Sequence, residues 1–226
     1  MAALSPLILE EITLKQRYLR TKRVLDFLVI LLLLPLLCLV MLIVAVLIRL
    51  DSEGPVLYRQ KRVGQDGVEF EMLKFRSMQI NNDDSLHREA VKRYMNGDML
   101  NHDGGSVGTL YKLVDDPRIT RVGRIIRKLS IDELPQFINV LRGEMSVVGP
   151  RPPLSYEVEG YSLRDSLRLC GKPGITGYWQ VYGRSRVTFE EMVEMDISYL
   201  RQQSILQDVK LIILTVPVAA LGRGGA

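Results

Sequence analysis

The sequence predicts an α+β fold: a mostly helical cytoplasmic domain with a short β-hairpin, anchored by an N-terminal re-entrant membrane helix and interfacial helices. Three observations lead there. Residues 27–48 carry no charge; runs at 56–63 and 68–75 alternate with period two around a Gly-containing turn; and stretches at 81–96 and 188–200 repeat their apolar residues at helical spacing. With 226 residues, 47% apolar and 25% charged, the chain is globular rather than disordered and suffices for one ordinary domain plus an extra segment.

The net charge of +4 is small, so its placement carries the information. Basic residues crowd the N-terminal third and the segment before Ser130, which favours anionic partners; nucleic acid is not expected among them. Cys38 and Cys170 make neither a disulfide framework nor a metal-ligand spacing, which fits a reducing cytoplasm. His87 and His102 stand alone among polar residues, which argues against a zinc centre and a Ser-His-Asp triad.

Residues 1–21 read as an N-terminal interfacial or flexible segment. Leu7, Ile8, Ile12, Leu14, Tyr18 and Leu19 recur at loosely helical spacing, which suits a helix lying on a membrane and a frayed solvated tail equally. Residues 22–50 read as the re-entrant membrane helix. Its uncharged run of roughly 22 residues reaches about 33 Å as a helix, the hydrocarbon thickness of a bilayer. It ends at Arg49-Leu50-Asp51 without a small-residue cleavage site, unlike a secretory signal. Lys22 and Arg23 precede the run while Arg49, Arg59, Lys61 and Arg62 follow it, so the cytoplasmic preference of basic flanks holds both ends on one face. A hairpin is favoured over a straight crossing, and Pro35 is the expected membrane break because it removes a backbone donor and clashes with the preceding turn. On this reading Asp26 lies at headgroup depth.

Residues 51–226 form the cytoplasmic domain. Gly64-Gln65-Asp66-Gly67 joins the two strands as a hairpin turn, and Lys74, Arg76 and Ser77 of KFRSM end the second. Residues 81–96 form a polar helix with Leu86, Val91 and Tyr94 inward. The Gly-, Asn- and Asp-rich stretch 97–108 reads as a loop, with a lid function left open. Arg118, Arg121, Arg124 and Arg127 then recur every three residues and wind a basic stripe around a helix. Their mutual repulsion, a few tenths of a kcal/mol per pair, calls for something anionic, and Arg127 stands nearest the acids that follow.

Those acids are the centre of the chain. Residues 130–152, SIDELPQFINVLRGEMSVVGPRP, put Asp132 and Glu133 after the arginine helix and before a Gly-Pro-Arg-Pro turn. Ser130-x-x-Glu133 fits a capping box, so the acids equally suit a helix N-terminus, whose start Pro135 sets close by. An adjacent guanidinium and helix-end donors would lower the carboxylate pKa, leaving Asp132 ionised as a nucleophile towards phosphorus and Glu133 free to hold Mg²⁺. Arg151 in the rigid turn can fork onto a phosphate. There is no P-loop or dinucleotide fingerprint. Residues 172–177 and 180–184 supply a further Gly-rich loop ending in Arg184. Residues 188–200 suit a surface helix, with Asp196 and Tyr199 one turn apart. Residues 208–221 are too short to span a bilayer and suit an interfacial position.

Taken in order, KR-x-x-D, D-S-x-G-P-V, Q-K-R-x-G, K-F-R-S-M, D-P-R-I-T-x-x-G, S-x-D-E-L-P-Q, G-x-M-S-x-V-G-P-R-P, P-G-I-T-G and Q-V-x-G-R resemble the bacterial sugar transferase family, monotopic polyprenyl-phosphate phosphoglycosyltransferases. The likeness runs from Lys22 to about Ala226. It implies a catalytic domain on the cytoplasmic face of the bacterial inner membrane that moves a sugar 1-phosphate from a UDP-sugar to undecaprenyl phosphate and releases UMP. It also implies that Asp132 carries a covalent phosphosugar intermediate and Glu133 serves Mg²⁺. Lys74, Arg76, Arg127, Arg151 and Arg184 are the expected phosphate-binding residues. Larger members add an N-terminal multi-span domain that this chain is expected to lack, and Leu34 replaces the serine that some members place before the membrane proline. A homodimer is compatible with the resemblance. The alternatives are a membrane-anchored scaffold that binds anionic lipid and a glycosyltransferase releasing UDP. No stretch points to a particular UDP-sugar or polysaccharide.

Overall fold

The computed structural model describes residues 16–79, 85–96, 118–183 and 187–220. Helix α1, Gln16–Asp51, runs 36 residues and continues through Pro35. It therefore begins before Lys22 and joins the last described residues of the N-terminal segment to the apolar run. Leu31, Leu32, Leu36, Leu39, Leu42 and Leu50 all face outward, the reverse of a soluble helix that buries its apolar stripe. The helix is long and apolar enough to cross a membrane, and its bare leucines suggest membrane association.

A narrow stripe of α1 meets the body instead: Lys22, Asp26, Ile30, Leu37, Val44 and Ile48. Asp26, expected at headgroup depth, is one of the residues turned to the body. Only 4% exposed, Asp26 accepts hydrogen bonds from Ser146 Oγ at 2.8 and 3.0 Å and from the Val147 N–H at 3.0 Å. One turn earlier, Lys22 Nζ reaches Asp208 Oδ2 at 2.8 Å and Tyr199 Oη at 3.2 Å, and the Tyr18 hydroxyl donates to the same Asp208 oxygen. A buried ion must be paired and hydrogen-bonded to be tolerated, and this one is.

Strands β1, Leu57–Val63, and β2, Glu69–Phe75, form the expected antiparallel hairpin, in register from Leu57↔Phe75 to Val63↔Glu69. Its turn needs left-handed backbone at Asp66 (φ 56°) and Gly67 (φ 78°), which Asp tolerates and Gly adopts freely. Helix α2, Ser85–Met95, buries Val91 and Tyr94 as anticipated. The 97–108 loop, like Arg184 and most of residues 1–21, lies outside the described residues.

Helix α3, Arg121–Lys128, carries three arginines of the basic stripe and is capped by Thr120, whose Oγ1 accepts from the Gly123 N–H at 2.9 Å. A short 3₁₀ turn, Ile131–Glu133, leads into α4, Gln136–Arg142. The expected capping box does not form. Ser130 is left-handed (φ 56°) and its side chain caps nothing, while Pro135 takes the N-cap position and places the acids outside the helix. A capping box does form at α7, Phe189–Arg201, between Thr188 and Glu191.

Strands β3, Ser146–Val148, and β4, Gly174–Thr176, pair in parallel beneath the Gly-Pro-Arg-Pro turn. The glycines of the second Gly-rich stretch therefore serve backbone approach. A Cβ at Gly174 would lie 2.0 Å from Gly149 N, and one at Gly177 would lie 2.3 Å from Gly149 O. Helices α5, Ser155–Val158, and α6, Tyr178–Tyr182, follow the two strands.

The core gathers Val140, Met145, Val148, Leu167, Ile197 and Leu211. Helix α7 crosses it with Val193, Asp196, Ile197, Tyr199 and Leu200 buried, so it is an interior helix and not the surface helix expected from its acidic composition. Asp196 misled that expectation: it is buried and accepts from Arg168 Nη2 at 2.5 Å. Helix α8, Ile205–Ala220, buries Leu211 and Asp208 but leaves Leu206, Ile213 and Val216 outward.

Candidate active site

The site forms where β2, the 3₁₀ turn and the Gly-Pro-Arg-Pro turn meet. Lys74, next to last in β2, sends Nζ to Glu133 Oε1 at 2.9 Å. Arg151 Nη1 stands 3.8 Å from the same oxygen. Burial pushes both acidic carboxyls up, but at Glu133 the Lys74 ammonium and Arg151 guanidinium outweigh it and hold the group at about 2. At Asp132 burial prevails, taking its pKa to about 6; Lys74 and Arg127 offset this in part, while the Glu133 charge adds to it. The expected depression of the Asp132 pKa is thereby corrected: the best cation contact goes to its neighbour.

The hairpin also holds the arginine turn. Arg62 of β1 is 6% exposed and donates from Nη1 to the Pro152 carbonyl at 2.9 Å, while the Val63 N–H bonds the Pro153 carbonyl at 2.9 Å. Burial lowers the Arg62 pKa to about 10, with nearby Arg151 adding to the effect. Behind the turn, Arg168 Nη2 donates to the Arg151 carbonyl at 3.3 Å, braced by Asp196 and by the Tyr161 hydroxyl. A cavity of about 70 Å³ opens beside Arg151, bordered by Arg62, Glu157 and Arg168.

Of the seven residues expected at a phosphate centre, Lys74, Arg127, Arg151, Asp132 and Glu133 come together, and Arg184 is outside the described residues. Arg76 does not join them. Buried to 5% exposure, it donates to the Pro55 carbonyl at 2.6 Å and to the Ser52 carbonyl and hydroxyl at 2.7 and 2.9 Å, tying β2 to the chain leaving α1. KFRSM thus sends one cation to the acids and the other to the scaffold: strand alternation would put Lys74 and Arg76 on one face, but the strand ends at Phe75 and Arg76, just past it, turns to Ser52 and Pro55. Arg62, Asn139 and Arg168 were not singled out from sequence; the Q-K-R-x-G motif was the available signal for Arg62.

Among the described residues no three His, Cys, Asp or Glu side chains converge. The donor set, two adjacent carboxylates one of which carries two cations, fits Mg²⁺ only where phosphate oxygens complete its shell, a coordination that ion favours.

Residues 17–222 match the bacterial sugar transferase family, and the chain belongs to it. It is similar to the galactosyl transferase CpsE of Streptococcus agalactiae serotype III, 48% identical over 178 residues, 78% of this chain but 37% of that protein. It is 38% identical over 204 residues to the exopolysaccharide production protein ExoY of Sinorhizobium fredii, covering 90% of this chain and 87% of that one. It is 39% identical over 205 residues to the UDP-glucose:undecaprenyl-phosphate glucose-1-phosphate transferase of Escherichia coli K12, covering 85% and 38% respectively. The chain thus spans well under half of two of these relatives and most of the third.

Proposed function

We propose that the chain is a sugar-1-phosphate transferase that uses a UDP-sugar and undecaprenyl phosphate in the membrane step of polysaccharide synthesis. The observation that carries the reading is geometric: the adjacent carboxylates Asp132 and Glu133 sit where Lys74 Nζ, at 2.9 Å, and Arg151 Nη1, at 3.8 Å, converge on Glu133 Oε1. The name of the E. coli relative supports the chemistry, and that of the S. fredii relative supports the pathway.

In the mechanism, the donor's pyrophosphate settles against Lys74, Arg127 and Arg151, which offset the repulsion an incoming carboxylate meets. An Asp132 oxygen bonds the sugar-bearing phosphorus; the bond from that phosphorus to the bridging oxygen breaks, and UMP leaves with that oxygen. An oxygen of the lipid phosphate then attacks the same phosphorus, breaking the acyl phosphate and returning Asp132 as carboxylate. One charged site serves both half-reactions in turn. Glu133, with phosphate oxygens, would hold Mg²⁺, which when bound neutralises pyrophosphate charge. Helix α1 is read as re-entrant, with Pro35 at its bend and the catalytic domain on the cytoplasmic face; basic residues at both flanks support that reading.

The test supplies a panel of UDP-sugars, undecaprenyl phosphate and Mg²⁺, and separates UMP from UDP. UMP release that requires Asp132, with label from a sugar-phosphate donor trapped on that side chain, is the expected result. UDP release would indicate transfer of the sugar alone, full activity of Asp132→Asn would rule that carboxylate out as the nucleophile, and release of neither nucleotide by the wild-type chain would leave a lipid-binding scaffold.

A further inference from the structure

Lys74 and the acid pair arrive from separate elements, β2 and the turn before α4, so their meeting depends on how α4 sits against the strand. One side chain fixes that. Asn139, on α4, is wholly buried at 0% exposure. Its Oδ1 accepts from the Leu73 N–H at 3.0 Å, and its Nδ2 donates to the Glu71 carbonyl at 2.7 Å and to Glu144 Oε2 at 2.7 Å. Its own carbonyl accepts from the Glu144 and Met145 N–H groups, closing the helix.

The β2 edge that meets Asn139 is the one turned away from β1, since among the described residues the hairpin's sheet has those two strands. An amide that accepts from one residue and donates to the carbonyl two residues earlier copies the pairing of a neighbouring strand. It is also register-specific: sliding β2 by one residue would turn these peptide groups towards β1 and leave the amide without partners. Lys74 is the residue immediately after Leu73, so the bond that fixes Leu73 fixes the origin of the Lys74 side chain.

We propose that Asn139 is a positioning residue: by occupying the free edge of β2 it sets the register of that strand on α4 and thereby holds Lys74 against Glu133 and beside Asp132. The proposal rests on the reading of Asp132 as the nucleophile. Asn139 touches none of the reacting atoms; it acts through Lys74.

The experiment uses the full chain in lipid nanodiscs, with UMP-release kinetics and, separately, a structure of each variant read for the distance from Lys74 Nζ to Glu133 Oε1, 2.9 Å in the wild-type chain. Asn139→Ala is expected to lower kcat about ten- to a hundred-fold while changing KM for the UDP-sugar less than about threefold. It is also expected to lengthen the Lys74–Glu133 contact beyond hydrogen-bonding distance, since the strand that carries Lys74 loses its anchor on α4. Asn139→Asp keeps the volume and the acceptor for Leu73 but turns an acceptor towards the Glu71 carbonyl, and serves if the alanine variant does not fold; the same directions are expected. Val140→Ala, wholly buried on the same helix and not bonded through its side chain, controls for lost stability. A folded Asn139 variant with wild-type kcat, or with the Lys74–Glu133 contact intact, overturns the proposal, as does an equal loss of kcat in a folded Val140→Ala. Absence of UMP release from the wild-type chain would instead count against the functional reading, while the Lys74–Glu133 distance in the variants still decides the role of Asn139.

Discussion

Because Lys74 bonds Glu133 and not Asp132, two carboxyls adjacent in sequence titrate far apart, at about 2 and about 6. The raised value bears on both rate and stability. Transfer is expected to fall as pH drops through about 6, tracking the ionised fraction of Asp132, and a pH profile of single-turnover UMP release checks it. For stability, the folded pKa lies above the unfolded value of about 3.9, so the folded state holds more protons between the two. The stabilisation is complete below about 4 and is lost as pH rises through about 6. Asp132→Asn is therefore expected to abolish turnover yet raise the melting midpoint at about pH 7.5, by about 2–4 °C for each kcal/mol released, with little gain at about pH 4. Differential scanning fluorimetry at both pH values tests this. Lys74→Met removes the cation that lowers both carboxyls; turnover should drop at least about tenfold and the acidic limb should move upward.

At the scale of elements, the hairpin works as a template: β2 presents Lys74 to the acids, while β1 holds the Gly-Pro-Arg-Pro turn through Arg62 and Val63. The strand alternation, the turn residues and the acid pair were legible because each is a local pattern. The capping-box motif at Ser130 was legible too but misleading, since a left-handed Ser130 and the Lys74 contact outcompete it. What stayed hidden depends on partners far along the chain: Arg76 on Ser52 and Pro55, Asp26 on Ser146, Asp196 on Arg168. A lone sequence registers these as charges and assigns them to solvent or substrate, because burial of a paired ion leaves no periodic trace. Glycine positions carry a further expectation. Gly123 lets α3 approach the end of β2 so closely that a Cβ would stand 2.0 Å from the Ser77 carbonyl oxygen. Gly123→Ala should destabilise by about 1–3 kcal/mol or more and displace Arg127, read as a lowered unfolding midpoint and slower transfer.

Across the whole molecule, helix α1 is joined to the body at both ends of its body-facing stripe. Near its start, Lys22 and Asp208 form a buried pair with Tyr18 and Tyr199. Breaking such a pair from one side is expected to cost about 3–5 kcal/mol, so Lys22→Met should unfold the chain at markedly lower temperature. The double variant Lys22→Met with Asp208→Leu should recover part of that loss, a comparison made in one detergent by thermal unfolding.

The far end of α1 couples differently. Asp51, its last residue, accepts the Val122 N–H at 3.0 Å and so satisfies an unpaired amide in the first turn of α3, the helix that bears Arg127. The leucine-clad rod and the arginine helix share a joint, and a lever seated in lipid would transmit its tilt to the cations beside Asp132. Bilayers of shorter or longer acyl chains, which tilt embedded helices to match their thickness, should then tune turnover in the intact chain, and Asp51→Ala should loosen that dependence.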